Sequence, residues 1–200
     1  MGRPRRSDSQ VATTERLLSA AEKHFGKHGF DAARLSDIAK DAGITRPSLL
    51  YHFESKEKLY DAVVARAFDK LLGVFQGSAV DTDTFESIVM GLTQAYIDFA
   101  DEHPSVSVLV LKELTGPSTQ GEHIIRTKFV PVLDWVENFL LDAGKETMRP
   151  GVPVRFVLMQ VAVQVMIRSA MGDLAVPMWG AGDPTLELSR ILFLKEPQQS

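Results

Sequence analysis

The sequence predicts an all-α fold. Apolar residues recur at three- and four-residue intervals through most of the 200-residue chain, which is the spacing of one face of a helix. Candidate N-cap residues precede these segments, and Gly or Pro follows several of them. Residues 105–111 alternate as a β-strand would, but the chain offers no second strand to pair with them. About nine helices are therefore expected.

The first two helices are predicted from their apolar faces and end signals. The first helix ends near Gly29, because glycine is a common stop signal. Ser36 is the expected N-cap of a short second helix over residues 37–42, which ends at Gly43. The apolar face of the first helix consists of Leu17, Leu18, Ala21 and Phe25.

The third and fourth helices also have recognisable starts. Thr45 is the expected N-cap of a helix that continues to about Phe53. Pro47 fits its first turn, where a missing N–H costs little. Ser55 is the expected N-cap of a long fourth helix, whose apolar residues repeat every four positions. These residues are Leu59, Val63, Ala67 and Leu71.

Five further helices are expected in the rest of the chain. Asp83 and Glu86 form a candidate capping box for the first of these, and Pro104 begins the next. Pro131 predicts a kink within the helix that follows. The last three helices are expected over residues 124–143, 153–171 and 184–194.

Composition and charge exclude several classes of protein. The chain has no cysteine, so it has no disulfide, thiolate zinc site or cysteine nucleophile. Residues 156–167 are the most apolar stretch and are too short to span a bilayer. No apolar signal segment follows the basic N-terminus, so we expect a cytoplasmic protein that is not held in a membrane. Residues 1–60 carry 11 Lys and Arg against 8 Asp and Glu, whereas residues 61–200 carry 11 against 18. This asymmetry suggests an anionic partner for the N-terminal part.

Residues 36–53 have the layout of a helix-turn-helix. Gly43 in the turn allows a positive φ, and Ile44 is expected to enter the core so that the second helix crosses the first. In this motif the N-terminal end of the second helix enters the DNA major groove. Arg46 lies there and can bind guanine through two hydrogen bonds. Candidate donors to phosphates or base edges are Thr45, Ser48, Tyr51 and His52, and Lys56 can add a cation at a phosphate.

Three segments resemble the TetR/AcrR family of transcriptional regulators. They are residues 18–30 (LSAAEKHFGKHGF), 36–44 (SDIAKDAGI) and 51–59 (YHFESKEKL), within a resemblance that covers about residues 10–65. The resemblance implies an all-helical homodimer, with a DNA-binding domain over residues 10–56 and an effector-binding and dimerisation domain over residues 57–195.

The same resemblance assigns roles to residues of the motif. It implies that Arg46, Pro47 and Ser48 face the bases of an operator. One position departs from the family pattern, since Leu50 replaces the first residue of an aromatic pair. The residues that it implies on phosphates are Ser36, Thr45, Tyr51, His52 and Lys56.

Several other polar residues allow two interpretations. Arg3, Arg5 and Arg6, in a basic arm over residues 2–6, either enter a minor groove or form a solubilising terminus. His24 and His28 have the spacing of a two-histidine metal site, but a solvated helix face is the favoured reading. His103 and His123 are expected at the surface.

The C-terminal part offers candidates for an effector pocket and a dimer interface. The row Gln160, Gln164 and Arg168 faces solvent, a pocket or a partner copy, and the sequence leaves these alternatives open. The closing helix has an apolar side, which we expect at the dimer interface together with the helix over residues 153–171. That side consists of Leu186, Ile191, Leu192 and Leu194. The other pocket candidates are Phe68, Leu72, Tyr96, Phe99 and Phe129.

Together these observations predict a sequence-specific DNA-binding regulator that is not an enzyme and needs no cofactor or metal. We expect a repressor that a small amphipathic or aromatic ligand releases from its double-stranded operator. The alternative is a helical-bundle small-molecule binding protein, or an enzyme, without operator binding. No nucleophile–base pair, phosphate-binding glycine loop or paired carboxylates stand out in the sequence, which disfavours an enzyme.

Overall fold

The computed structural model describes residues 6–78, 84–116 and 119–195. These residues form helices, with one isolated antiparallel bridge between Met148 and Leu194. The first six helices are α1 (Arg6–Ala32), α2 (Leu35–Asp41), α3 (Arg46–His52), α4 (Lys56–Ser78), α5 (Phe85–Glu102) and α6 (Pro104–Thr115). They are followed by α7 (Thr119–Ile124), a π-helical turn (Ile125–Phe129), α8 (Val130–Ala143), α9 (Val154–Met171), a 3-10 turn (Gly172–Leu174), α10 (Ala175–Trp179) and α11 (Thr185–Phe193).

The all-α prediction is confirmed. The segments α7, π turn and α8 follow one another without a loop, and so do α9, the 3-10 turn and α10. The described residues therefore form nine helical rods, the number that the sequence predicted. Residues 105–111 are helical, within α6, because they had no second strand with which to pair.

Two of the four predicted N-cap residues are correct and two are not. Thr45 accepts a hydrogen bond from the N–H of Ser48 at 3.3 Å, and Ser55 accepts one from the N–H of Lys58 at 3.2 Å. The N-cap of α2 is Arg34 and not Ser36, since the chain becomes helical two residues earlier than predicted, at Leu35. For α5 the N-cap is Thr84, and the predicted cap Asp83 lies outside the described residues.

Helices α1 to α3 pack around side chains that the sequence placed on apolar faces. Gly29 interrupts α1 with a φ of 77°, and Gly43 has a φ of 70° in the turn before α3. Both angles fall in the left-handed region that glycine adopts without strain. The buried side chains at the centre of this unit include Leu17, Phe25, Ile38, Leu49 and Tyr60.

The break expected at Pro131 takes the form of a π-helical turn. Within this turn the N–H of Val130 donates to the carbonyl of Ile125, five residues back. Pro131 lacks an N–H, and its ring clashes with the carbonyl four residues earlier in a regular helix. The wider turn over Ile125–Phe129 accommodates the proline at the start of α8.

A direct contact joins α6 to α1. A Cβ at Gly26 would lie 2.8 Å from the Cβ of Ser105, so glycine allows the two helices to approach closely. Lys112 Nζ then donates to the carbonyl of Gly26 at 3.0 Å, near the end of α1. Helix α6 is therefore held at two points on the unit that contains α2 and α3.

Helix α9 is apolar apart from one polar row and a few single positions, and a limited set of its side chains is buried. Its buried side chains are Val154, Val157, Val161, Val165 and Met166. The stretch Val154–Trp179 is long and apolar enough to cross a membrane by length and composition alone. Core helices of globular proteins pass the same test, and α9 packs here against α5, α6, α8 and α11.

Candidate functional site

Helix α3 presents its N-terminal turn to solvent. Thr45, Arg46 and Pro47 are exposed, whereas Leu49 one turn later is fully buried. Leu49 therefore fixes the helix to the core of α1 and α2 while the residues before it point outward. This geometry leaves the guanidinium of Arg46 accessible for two parallel hydrogen bonds.

The second half of α3 carries one exposed and one half-buried aromatic donor. Tyr51 is 81% exposed, and its ring lies edge-on to that of His52 with centroids 5.8 Å apart. Ser48 and His52 are half-buried. Leu50, which departs from the family pattern, packs against the core, so the phenol of Tyr51 remains the exposed aromatic hydroxyl at this end of α3.

The side chain of Lys56 is already engaged within the protein. Its Nζ donates to the carbonyl of Asp31 at 2.9 Å and lies 4.8 Å from the centroid of the Phe30 ring. An ammonium has three donors, so others remain for a phosphate. Glu57 shares this turn, and a hydrogen bond with Ser55 lowers the pKa of its carboxyl. The turn thus combines both signs of charge.

Directly before α2 lies Arg34, a candidate DNA-contacting residue that the sequence patterns did not single out. Ser36 is exposed and its hydroxyl donates to Asp37 Oδ1 at 3.3 Å. Arg34, the N-cap of α2, is also exposed and carries a cation two residues away. The sequence signal for Arg34 was its position, as a basic residue, directly before the first helix of the helix-turn-helix. Of the predicted arm, Arg3 and Arg5 lie outside the described residues, and Arg6 is the first residue of α1.

Two histidines that were expected to be solvated have partners. His24 Nε2 lies 2.6 Å from Asp41 Oδ2, and the His24 side chain is only 16% exposed. This pair joins α1 to the end of α2. His103 Nδ1 lies 3.7 Å from Glu22 Oε1, and Glu22 is paired in turn with Arg66 of α4. Within the described part of the chain, no group of three potential metal ligands occurs.

An internal cavity of about 70 Å³ lies between α4, α5, α8, α9 and α11. A smaller one of about 20 Å³ adjoins it on the side of α6. Leu71, Tyr96 and Phe129 line both. The other residues around the larger cavity are Phe75, Val89, Leu92, Thr93, Val132, Leu133, Val136, Leu140, Leu158, Val161, Ala162, Ser189 and Phe193.

The cavities include some of the predicted pocket residues and not others. Tyr96 and Phe129 line both spaces, while Phe68 and Phe99 line the smaller one. Leu72 is half-buried against the core and lines neither. Burial raises the pKa of Tyr96 above its usual range, and its hydroxyl donates to the carbonyl of Ala162 at 3.2 Å.

The polar row on α9 faces the segment before α11 and lines neither cavity. Gln160 is exposed, and Gln164 Nε2 lies 3.5 Å from Thr185 Oγ1. Arg168 donates to the carbonyl of Gly182 at 2.8 Å and lies 3.6 Å from Asp183. Gln164 and Arg168 therefore fasten the start of α11 to α9, whereas Gln160 faces solvent.

Helices α9 and α11 each carry a large exposed apolar side chain, and these two positions define the candidate exposed apolar surface. Phe156 is 62% exposed and Ile191 is 48% exposed. Of the other predicted interface residues, Leu186 is half-buried, while Leu192 and Leu194 pack against the core of the same chain. Further exposed apolar side chains, in the segment that follows α9, are Leu174, Val176 and Met178.

Comparison with known proteins places residues 17–63 within a family profile described as bacterial regulatory proteins, tetR family. The chain is 40% identical over 116 residues to the HTH-type transcriptional activator FasR of Mycolicibacterium smegmatis, covering 56% of this chain and 52% of FasR. It is 32% identical over 145 residues to the HTH-type transcriptional regulator RutR of Escherichia coli K12, covering 67% of this chain and 66% of RutR. The chain thus spans between half and two thirds of the length of these curated relatives.

A crystal structure of a HlyIIR mutant protein has a similar fold. It superposes with a TM-score of 0.70 at 19% sequence identity, covering 94% of this chain and all of that chain. At this identity the likeness concerns the fold alone. It extends to the helices after residue 63, which the family profile does not cover.

Proposed function

Because the chain belongs to the TetR family of bacterial regulatory proteins, we propose that it is a cytoplasmic, homodimeric repressor that a small ligand releases from its operator. The observation that carries the proposal is the first turn of α3. It exposes Thr45, Arg46 and Pro47 on a helix that buried Leu49 holds in place.

In the proposed complex, the N-terminal end of α3 enters the major groove of the operator. Arg46 then reads a guanine through its two parallel N–H donors. Thr45 and Tyr51 donate to phosphates on either side, and backbone N–H groups at the start of α4 donate to a third phosphate. Ser36 and Arg34 extend the same set of donors to the first turn of α2.

A homodimer supplies a second α3 helix for contact with the operator. One α3 helix contacts only a half-site, and a two-fold axis places the second about one turn of DNA away. The exposed apolar surface on α9 and α11 is the part of the chain that supports such an axis, because large exposed apolar patches are rare on monomers. Two copies of both helices would form a four-helix interface.

The proposed ligand acts through the cavity beneath α4. About 70 Å³ is roughly half of the 150 Å³ that accepts benzene in an engineered cavity. A larger ligand must therefore displace the surrounding helices. Helix α4 contributes Leu71 and Phe75 to the cavity wall and contacts α1 through Lys56 at its other end. A change of its tilt would move α3 in both subunits.

A second route from the cavities to the DNA-binding unit runs through α6. Val106 and Val110 line the smaller cavity, and Ser105 and Lys112 of the same helix contact Gly26 of α1. Displacement of α6 would therefore act on α1 directly. Both routes are consistent with a ligand that favours a different spacing of the two α3 helices.

Gel shifts with the DNA upstream of the protein's own gene test the proposal. We expect a saturable complex that survives competition by unrelated duplex DNA and weakens steeply with salt. Binding that unrelated DNA abolishes equally well would contradict operator recognition. It would favour the alternative, a helical small-molecule binding protein, for which the apolar cavity is the supporting feature.

A further inference from the structure

The larger cavity contains a polar group that the protein leaves unsatisfied. Ser189 lies on α11, is fully buried and lines this cavity. Its hydroxyl makes no hydrogen bond within the part of the chain that the structure describes. Buried polar groups in folded proteins are nearly always paired, and an exception calls for a specific explanation.

Two neighbouring hydroxyls are paired, in contrast to that of Ser189. Tyr96 donates to the carbonyl of Ala162 across the cavity wall. Thr185, one turn earlier on α11, donates to Asp183 and lies within reach of Gln164. The hydroxyl that lacks a partner is therefore that of Ser189, which lines the cavity.

The rest of the wall has no charge with which to balance an ionised ligand. None of the side chains that line the cavity is Asp, Glu, Lys, Arg or His. Tyr96 keeps its proton because burial raises its pKa. A carboxylate or ammonium in this space would lose its hydration without gaining a counter-charge, which is strongly unfavourable.

We propose that the cavity binds an uncharged, mainly apolar molecule whose single carbonyl or hydroxyl group forms a hydrogen bond with Ser189 Oγ. This inference rests on the proposed function, in which the same cavity receives the effector. It narrows the effector to neutral compounds and assigns the polar contact to α11, the helix that also carries Ile191 on the exposed apolar surface.

The form of the two cavities favours an elongated ligand. Leu71, Tyr96 and Phe129 form a shared wall between the larger space and the smaller one beside α6. Movement of these side chains would join the two spaces into one channel with Ser189 in its larger part. A single polar group at one end of a hydrocarbon chain suits that arrangement.

Straight-chain 2-alkanones of seven to eleven carbon atoms are suitable probes, with alkanoates of equal length as charged counterparts. Calorimetric titration into the full chain at pH 8, where alkanoates are ionised, should show saturable binding of at least one alkanone. The matching alkanoate should bind at least about tenfold more weakly, because its charge has no partner in the cavity.

The variant Ser189→Ala tests the polar contact itself. Loss of one neutral hydrogen bond should weaken alkanone binding about twofold to tenfold. The thermal unfolding midpoint should not fall, because the serine hydroxyl has no partner to lose. Ser87→Ala is the matched control: it removes an exposed hydroxyl in the first turn of α5 that is hydrogen-bonded to the hydroxyl of Thr84 at 2.8 Å. Neither residue lines a cavity, so alkanone affinity should remain unchanged.

Three results would overturn the inference. They are equal alkanone affinities for wild type and Ser189→Ala, alkanoate binding as tight as that of the alkanone, and the absence of alkanone binding up to the solubility limit. The last result would indicate that a water molecule satisfies Ser189. Operator binding by the same samples is measured separately. If the alkanone binds but leaves the operator complex intact, the ligand site stands and the proposed release mechanism fails.

Discussion

At the scale of single residues, the environment of two cationic side chains indicates which of them is placed to read bases in the proposed DNA complex. Arg46 extends from the first turn of α3 into solvent, whereas Lys56 is tied to the carbonyl of Asp31 and the ring of Phe30. A side chain that must reach base edges needs to extend freely into solvent, as Arg46 does. One that contacts a phosphate at a fixed point can be held as Lys56 is.

Replacement of Arg46 by Ala should relax the preference for one base in each half-site. The expected cost is about 1–3 kcal/mol per half-site on the preferred operator. Lys56→Ala is the contrasting variant, and it should weaken all sequences alike and reduce the salt slope by about one. Titrations of matched and mismatched operators at several salt concentrations measure both. Unchanged discrimination by the Arg46 variant would show that another residue reads that base.

Tyr60 makes stability depend on pH in the alkaline range. Burial raises the pKa of its phenol first, and the hydrogen bond with Glu113, at 2.6 Å, raises it further. In the unfolded chain the phenol ionises near its ordinary value of about 10. The folded state then binds more protons than the unfolded state, so the free energy of unfolding falls as pH rises through that value.

The corresponding experiment compares wild type with Tyr60→Phe by urea unfolding between pH 8 and pH 11. At pH 8 the variant should be about 1–3 kcal/mol less stable, because buried Glu113 loses a donor. The stability of the variant should decline less steeply above pH 10. Parallel declines would exclude Tyr60 as a source of the alkaline dependence, leaving the buried Tyr96 as the remaining candidate.

At the scale of helices, the contact between α1 and α6 depends on the absence of a side chain. A Cβ at Gly26 would lie 2.8 Å from the Cβ of Ser105 and 2.9 Å from its carbonyl oxygen. A backbone neighbour cannot turn aside as a flexible side chain can, so the helices must separate. Helix α6 also lines the smaller cavity, which links this crossing to the proposed ligand response.

Gly26→Ala should therefore destabilise the protein by about 1–3 kcal/mol through overpacking. Gly73→Ala in α4 is the matched control, since a Cβ there meets nothing within 4 Å. This control should gain about 0.4–1 kcal/mol, because alanine restricts the unfolded chain. Urea unfolding at constant pH measures both. A Gly26 variant as stable as the Gly73 variant would show that the α1–α6 crossing adjusts freely.

At the scale of the whole molecule, the proposed dimer combines two helices whose outer sides are apolar. Ile191→Asp and Phe156→Asp place a charge on that surface without entering the core of the chain. Leu192→Asp is a poorer test, because Leu192 packs inside and its replacement would also unfold the protein. The two exposed positions separate loss of assembly from loss of folding.

We expect both aspartate variants to sediment as folded monomers at micromolar concentration and to bind operator poorly, because a monomer occupies one half-site. Lys70→Asp changes an exposed charge on α4, which is not among the helices packed against α9 or α11, and serves as a control that remains dimeric. A monomeric wild-type protein under the same conditions would remove the proposed interface altogether.

Release by a ligand also requires reciprocity between the two sites. Operator DNA must weaken ligand binding by the same factor by which the ligand weakens operator binding. Calorimetric titration of the tightest-binding alkanone, with and without saturating operator, checks this relation. Equal affinities in the two titrations would mean that the compound occupies the cavity without acting as an inducer.

The sequence by itself determined the local structure and the chemistry of α3. Apolar spacing predicted the helices, and the caps at Thr45 and Ser55 followed from hydroxyl residues before apolar runs. The placement of Arg46 in the first turn of α3 followed from the cap at Thr45. These features depend on neighbours three or four residues apart, which a sequence displays directly.

Only the tertiary structure decided which faces meet. Lys56 turns toward Asp31, 25 residues earlier. The sequence left solvent, pocket and partner open for the polar row of α9; in the structure Gln164 and Arg168 contact the start of α11, and Gln160 faces solvent. Leu192 and Leu194 pack inward while Ile191 points out. Side chains from five helices line the larger cavity, and the packing of these helices leaves the hydroxyl of Ser189 without a partner. Periodicity shows which residues share a face, but the partner of that face depends on contacts between residues far apart in the chain.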